Sequence, residues 1–472
     1  MVTSSERLPP SLSLNVGQKM TMSKPNILYI HSHDTGRYIQ PYGHAVPTPN
    51  LQRLAESGVL FRQNFCVSPT CSPSRASLLT GSYPHENGML GLAHRGFSLN
   101  NYRQHILHTL RREGYLSALA GVQHIASKHG DNEGWKVIGY DQYLGEPAHE
   151  QAVTFLDNPP SQPFFLSIGF SETHREFPEI SSECQEAKYC LPPALLPDTP
   201  ETRRDMARFK ASAKILDQKI GVVLKALEKH SLRENTLVIC TTDHGIPFPR
   251  MKCNLHDSGI GVMLIMRGPF GFSGGKVIDA MTSHLDLFPT ICDLLQIEHP
   301  KWLRGKSLMP LIRKKIERLH DELFFEINYH AAYEPMRSVR TRRWKYIKRF
   351  DERNRPVLPN CDDGDSKTLW MQSGWMECCQ PGEMLYDLIF DPNEVHNLAT
   401  DGSYEKVLQM MRERLNKWMR ATNDPLLKGS VEAPAGAKVN DPDGISARDV
   451  LRSAQQGAPA NPAAGGIAEL GR

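Results

Sequence analysis

The chain has 472 residues, of which 40% are hydrophobic, 8% aromatic and 23% charged, enough apolar side chains for a large core and the opposite of a wholly disordered composition. Lys plus Arg is 55 and Asp plus Glu is 52, a net charge of +3, without the basic excess of a dedicated nucleic-acid binder. No apolar run in the sequence approaches the roughly 18–20 residues that cross a bilayer, which excludes a membrane helix.

Residues 1–23 are polar and lack the apolar centre of a signal peptide, so they are read as an N-terminal extension of a cytoplasmic protein. The ten Cys residues, from Cys66 and Cys71 to the adjacent Cys378 and Cys379, lack the compact spacing of a disulfide framework and are expected as free thiols.

The first element in the chain is an aliphatic strand at 26–30 that ends in His31-Ser32-His33-Asp34. A helix at 50–57 stopped by Gly58, a strand at 59–65, a short helix opening at Pro73 and a helix at 102–113 ended by Gly114 come next. Strands at 116–120 and 164–170 precede a long helix, in which Met206, Phe209, Ala213, Leu216, Ile220, Val223 and Leu227 form one apolar stripe at alternating spacings of three and four. A buried strand at 236–241 then ends in Asp243-His244-Gly245, and a strand at 262–266 and a helix at 286–295 follow. Alternating strands and helices predict an α/β class domain over 24–317, a mainly parallel sheet flanked by helices. Beyond the charged stretch 313–318 come short strands at 323–327, 337–340 and 344–347 and a helix at 404–420, a smaller C-terminal antiparallel subdomain over 318–428. Residues 429–472 are rich in Ala, Gly, Pro and Asp without aromatics and are expected to form a mobile tail.

Two strand ends thus carry metal-type side chains, and ligands bind where α/β strands end. Between them lies Cys71-Ser72-Pro73-Ser74-Arg75-Ala76-Ser77-Leu78-Leu79-Thr80-Gly81. Ser72 can cap, Pro73 suits the first helical position and Gly81 ends the helix, which puts residue 71 at a helix N-terminus where an anion is favoured. Arg75, one turn in, can add a charge-assisted contact.

This segment resembles the signature of the type I sulfatases at every defining position. The resemblance extends over residues 26 to about 425, through Asp243-His244-Gly245, Leu385-Tyr386-Asp387, Asp391-Pro392-Asn393-Glu394 and Asn397-Leu398-Ala399. Within that family, Ile246-Pro247-Phe248-Pro249 and Pro335-Met336-Arg337-Ser338-Val339-Arg340 are similar to the sulfamidase branch, which acts on N-sulfoglucosamine. The resemblance implies an alkaline-phosphatase-like fold and a Cys71 converted to formylglycine by a formylglycine-generating or anaerobic sulfatase-maturating enzyme. It implies one divalent cation held by His33, Asp34, residue 71, Asp243 and His244. Ca²⁺ is the expected ion, but His33 and His244 stand where relatives carry Asp and Asn, and imidazole keeps Mn²⁺ and other transition metals open.

The same resemblance assigns His124 to proton removal from the nucleophile, His174 to the leaving group, Lys252 and Arg75 to the sulfate, and His330 and Arg337 to the substrate rim. The family Lys expected before His124 is Val122 here, leaving Lys128 or another cation to replace it. The implied substrate is a sulfated sugar, with no nucleic-acid or membrane partner and a homodimer as one possible assembly. Two rivals stand beside this reading: a phosphonate or phosphodiester hydrolase on the same scaffold, and a non-catalytic glycan-binding relative with an unmodified Cys71.

Overall fold

The computed structural model describes residues 24–127, 133–180, 185–449 and 451–453. The extension at 1–23, Lys128, Cys184 and the end of the expected tail lie outside the described residues. Eight strands build the main sheet: β1 (Asn26–Ser32), β2 (Val59–Phe65), β3 (Leu116–Gly121), β4 (Gln142–Gly145), β5 (Phe164–Gly169), β6 (Thr236–Thr242), β7 (Leu264–Arg267) and β8 (Lys276–Ser283). Their order is β4-β3-β5-β1-β6-β7-β2-β8. All neighbours are parallel except β7, which runs antiparallel to both β6 and β2.

Every residue of β1 is buried, because helices cover both sheet faces and alternate side chains enter different cores. Ile27 and Tyr29 join the layer containing the helices Cys71–Thr80, Ile106–Arg112 and Leu287–Leu295. Leu28 and Ile30 join the layer of Pro49–Ser57, Ala148–Asp157 and Pro200–Lys229. Burial of each such aliphatic side chain contributes about 1.5–3 kcal/mol. In the long helix the predicted stripe is buried throughout. Its half from Leu216 to Leu227 packs on the sheet, while Met206, Phe209 and Ala213 pack with Phe177, Ile246 and Phe248 under the loops at the strand ends.

A second, antiparallel sheet contains β9 (Glu322–Tyr329), β10 (Tyr333–Thr341), β11 (Trp344–Arg349) and β12 (Glu383–Asp387) in the order β12-β11-β10-β9. One face contacts Phe65 and Ile260 of the main body. The other is covered by the helix Glu405–Ala421 through Leu408, Met411, Leu415 and Trp418, the face its spacing predicts. Among the described residues no helix is long and apolar enough to cross a membrane.

Two expectations are corrected here. The short helix begins at Cys71, with Thr70 as N-cap residue, because the Ser74 amide already bonds the Thr70 carbonyl at 3.0 Å. Ser72 therefore lies inside the helix, and its hydroxyl accepts from the Ala93 amide at 3.0 Å instead of capping. The expected mobile tail is ordered as far as Asp449: Val431, Ala437 and Asn440 are buried, and Lys438–Asn440 pairs with Leu451–Ser453.

The two sheets meet across a buried charge cluster in which Arg340 and Lys345 hold Asp257, at 2.8 and 3.0 Å. Burial pushes the Glu394 carboxyl up to about 7, against the opposing Lys345 ammonium and aided by Asp257. An acid whose folded pKa is raised favours folding while it is protonated. That contribution is complete at low pH and is lost as pH rises from the unfolded value of 4.5 towards 7. Glu394→Gln should therefore match the wild type at pH 5 and exceed it by about 1–3 kcal/mol at pH 8 in denaturant melts.

Candidate active site

Four adjacent strands, β3, β5, β1 and β6, end level with one another: Gly121 pairs with Gly169, Gly169 with His31, and Ser32 with Thr242. Each delivers a site residue just beyond its last hydrogen bond. His124 follows β3, His174 follows β5, His33 and Asp34 follow β1, and Asp243 and His244 follow β6. The parallel register of β1 and β6 sets the two pairs side by side, and the Asp34 amide donates to Asp243 Oδ1 at 2.8 Å. Asp34 and His124 adopt left-handed φ of 53° and 59°, a conformation that costs about 1 kcal/mol or more and that surrounding contacts must hold. Gly245 is required because a Cβ there would lie 2.0 Å from the Ser258 carbonyl.

The helix Cys71–Thr80 points its N-terminus into this row. Cys71 Sγ is 3.3 Å from His244 Nε2, which is 3.2 Å from Asp34 Oδ1. His33 Nδ1 is 3.3 Å from Asp243 Oδ2. Donor atoms of His33, Asp34, Cys71 and Asp243 all lie within 4.8 Å of one another, and Asp34 Oδ1 and His33 Nδ1 are buried without a hydrogen bond. Converging, orphaned donors of this kind fit a divalent cation, and the mixture of carboxylate with imidazole suits Mn²⁺ as well as Ca²⁺. Burial, reinforced by Arg75 and opposed by Asp243, lowers His33 to about 4, which keeps its imidazole in the neutral, ligating form. Burial also pushes the Cys71 thiol well up, with Lys252 opposing.

Arg75 is spent on assembly. Its guanidinium donates to Asp243 Oδ2 at 2.9 Å and the Ser32 carbonyl at 2.7 Å, and it contacts His31. Lys252 lies deep in the site between Asp34 Oδ2 at 2.9 Å and Asp362 Oδ2 at 2.8 Å, with His174 Nε2 at 3.4 Å. Burial works against its ammonium charge, but Asp34 and Asp362 hold its pKa well up. Three carboxylates thus face two fixed cations, and a bound divalent ion would make the site net positive, the sign an entering sulfate needs.

His174 is oriented from behind. Its Nδ1 faces the Arg175 carbonyl, leaving Nε2 for the site. Arg175 forms a bidentate pair with Asp205 at 2.7 and 2.8 Å, donates to the Pro247 carbonyl at 3.0 Å and stacks on Phe177 and Phe248. The Ile246-Pro247-Phe248-Pro249 run is therefore the floor under His174. His124 stands 5.4 Å from the His33 ring and pairs with His94 at 3.1 Å, while its Nδ1 is buried without a partner. His330 borders the site through Thr70, its Nδ1 2.7 Å from that hydroxyl.

Arg337 is not at the substrate rim. It is fully buried under the helix Glu405–Ala421, paired with Asp424 at 2.6 and 3.0 Å and bonded to Asn328 and two carbonyls. β10 is covered on both faces, so alternation sends Arg337 into a second core instead of towards substrate. Breaking this buried pair leaves an unmatched Asp424, so Arg337→Ala should cost about 3–5 kcal/mol in urea unfolding without changing KM. In the neighbouring set His85, Glu326 and Asp424, His85 Nδ1 contacts Glu326 and Asp424 pairs with Arg337.

Sequence reasoning missed Asp362 and His94. Asp362 sits on an irregular loop after Leu358–Asn360, where neither periodicity nor motif marks it. His94 lies on a single 3-10 turn, Ala93–Arg95, whose only signal is its proximity to the Cys71 segment.

A sulfatase family model matches residues 25–297, and one described as N-sulphoglucosamine sulphohydrolase, C-terminal, matches residues 250–362. Human N-sulphoglucosamine sulphohydrolase is 30% identical over 466 residues, covering 85% of this chain and 91% of its own. Among solved structures, a 2-O GAG sulfatase superposes with a TM-score of 0.67 at 22% identity, covering 91% of this chain and 100% of that one. The phosphonate monoester hydrolase of Agrobacterium radiobacter superposes at 0.62 with 20% identity, over 87% and 98%.

Proposed function

The chain belongs to the sulfatase family and is a hydrolase of sulfate esters or sulfamates on an alkaline-phosphatase-like fold, and from that premise we propose that it works through formylglycine at residue 71 on N-sulfoglucosamine-type sugars. The observation that carries the reading is the Cys71 side chain at a helix N-terminus, 3.3 Å from His244 and within reach of Asp34, Asp243 and His33. In this reading Sγ stands where an oxygen of the hydrated aldehyde would be. A maturating enzyme is then an obligatory partner.

The modified residue would supply one oxygen that attacks sulfur and departs within the sulfate, and a second oxygen whose deprotonation closes the aldehyde C=O as the carbon–oxygen bond to the sulfate breaks. His33, Asp34, Asp243 and His244 would hold a divalent cation, which when bound would supply charge stabilisation for the sulfuryl oxygens. Lys252 turns its ammonium towards the same oxygens, and Arg75 fixes Asp243 in position. His174, its Nδ1–H held by the Arg175 carbonyl, would act as the imidazolium and donate the Nε2 proton to the leaving nitrogen or oxygen. His124, with its orphaned Nδ1, takes the proton from residue 71 that lets sulfate depart. Val122 leaves the sulfate one family Lys short, and Lys252 between its two carboxylates is the buried cation that remains on the leaving-group side.

A sulfamate leaves as an amine, more basic than a phenolate, and so depends more on its proton donor. His174→Ala should therefore lose about 10²- to 10⁴-fold in kcat/KM on N-sulfoglucosamine and much less on nitrophenyl sulfate. Equal losses would make His174 a sulfate-binding group, and no turnover of N-sulfoglucosamine by the matured enzyme would remove the substrate assignment. The Asp243-His244 pair and Val122 also favour a phosphonate monoesterase as a second reading. Parallel rates on sulfamate, aryl sulfate and phosphonate monoester decide between them.

A further inference from the structure

The segment from Val431 to Asp449 is a strap laid along one side of the active-site mouth, and several of its anchors lie one or two residues from a site residue. Arg95, next to His94, donates to Asn440 Oδ1 at 2.7 Å and to the Ala447 carbonyl at 3.1 Å. Ala331, next to His330, accepts from the Asn440 amide at 2.8 Å. Asp363, next to Asp362, accepts from Ser446, and Lys367 donates to the Ile445 carbonyl at 2.8 Å. Glu176, two residues beyond His174, pairs with Arg448. Ala437 is buried against Gly96, and the Val431 carbonyl accepts from Tyr329 at 2.6 Å, so the first part of the strap is clamped to the body as well.

This arrangement brings Lys438 to the rim beside Arg95, whose guanidinium also approaches the Lys438 carbonyl at 3.5 Å. Among the described residues neither side chain forms an ion pair with an acid, and the acceptors around Arg95 are all neutral. Both charges are felt at the site: Arg95 and Lys438 help to lower His94, after burial, and Arg95 helps to lower His330. Lys438 is exposed and serves no packing role. Arg95, next to His94 in the chain, and Lys438, on the strap bonded to Arg95, place two cations within electrostatic reach of His94 and favour negative charge on whatever extends from the reacting sulfate.

We propose that Lys438 of the C-terminal strap, with Arg95, forms a cationic subsite for a second anionic group of the substrate, a carboxylate or a further sulfate on the sugar beyond the scissile bond. This rests on the sulfatase reading above and adds a specificity-determining element to it. The contact is a partly exposed charge-assisted one, weakened by salt.

The test compares matured full-length enzyme with Lys438→Ala and Lys438→Glu on three sugars: N-sulfoglucosamine, its N,6-O-disulfated form, and a disaccharide with N-sulfoglucosamine joined to a uronic acid. The expected result is a KM for a doubly anionic sugar raised about 3- to 10-fold relative to that for N-sulfoglucosamine in Lys438→Ala. The shift should be larger in Lys438→Glu and shrink at high salt. A shift confined to the disulfated sugar makes the group a sulfate, and one confined to the disaccharide a carboxylate. KM values that move together, or do not move, overturn the subsite. If the matured wild type turns over none of the three sugars, the proposed function fails. The subsite is then judged by calorimetric Kd in the Cys71→Ala chain, where equal affinity for singly and doubly anionic sugars overturns it.

Discussion

Cys71→Ala should lower kcat/KM on any sulfated substrate by about 10⁴-fold or more, since it removes the atom on which the proposed covalent catalysis depends. The stability cost is much smaller. Residue 71 is buried, 1% exposed, but it opens its helix at the first position, and its Sγ faces polar groups rather than an apolar core. Loss of one sulfur should leave a small polar space and cost about 1 kcal/mol, so a cooperative melt close to that of the wild type is expected beside the lost activity. Cys71→Ser keeps a single oxygen where the modified residue would carry two. It should accept sulfuryl from substrate and fail to release it, a gain in mass of the residue-71 peptide visible after mixing with substrate. Retention of most activity in Cys71→Ala would remove residue 71 from the chemistry.

Asp243→Asn carries the second large effect, and it has two separable parts. Asp243 Oδ2 holds buried Arg75 at 2.9 Å, and its Oδ1 accepts from the amides of Asp34 and His244 at 2.8 and 2.9 Å. Burial alone would raise its pKa, yet His244, Arg75 and His33 hold this carboxyl well below the ordinary value, so it is ionised across the working range. The amide leaves Arg75 without its counter-charge, which should cost about 3–5 kcal/mol in stability. It would also remove one anionic ligand of the proposed cation, and with it about 10³-fold or more of activity. Metal content and melting temperature with and without Mn²⁺ or Ca²⁺ separate the two. Added metal should raise the Tm of the wild type but not of Asp243→Asn. Equal metal binding by both proteins would place the cation elsewhere.

The parts of this site that were legible in the sequence share one cause. His33, Asp34, Asp243 and His244 stand at the ends of fully buried strands, and parallel pairing brings such ends together whatever the distance along the chain. Cys71 and Arg75 are read from a motif, Lys252 from its spacing to His244 at the family's cation position, and His174 from the family resemblance alone. Arg337 misled because the family resemblance places the substrate rim in this part of the smaller subdomain. Only the amphipathic helix Glu405–Ala421, folded over β10, hides it, and sequence periodicity shows that this helix has a buried face without showing what it covers. Asp362 reaches Lys252 from a loop that obeys no period. The strap was read as a tail because its composition is poor in aromatics, yet two small anchors, Val431 and Ala437, and backbone bonds to Ala331 and Lys367 suffice to hold it. β4 and β8 escaped notice as edge strands, exposed along much of their length, without the continuous apolar runs of the central strands.

The central claim, that residue 71 acts as formylglycine, is tested most directly by measuring in one set of samples the mass of the residue-71 peptide and the rate of sulfate release, with maturation varied from none to complete. Conversion of the thiol to an aldehyde makes that peptide lighter, and the account predicts a rate proportional to the converted fraction that falls to zero for the unmodified thiol. Full sulfate release from protein in which every residue-71 peptide still carries its thiol would contradict it.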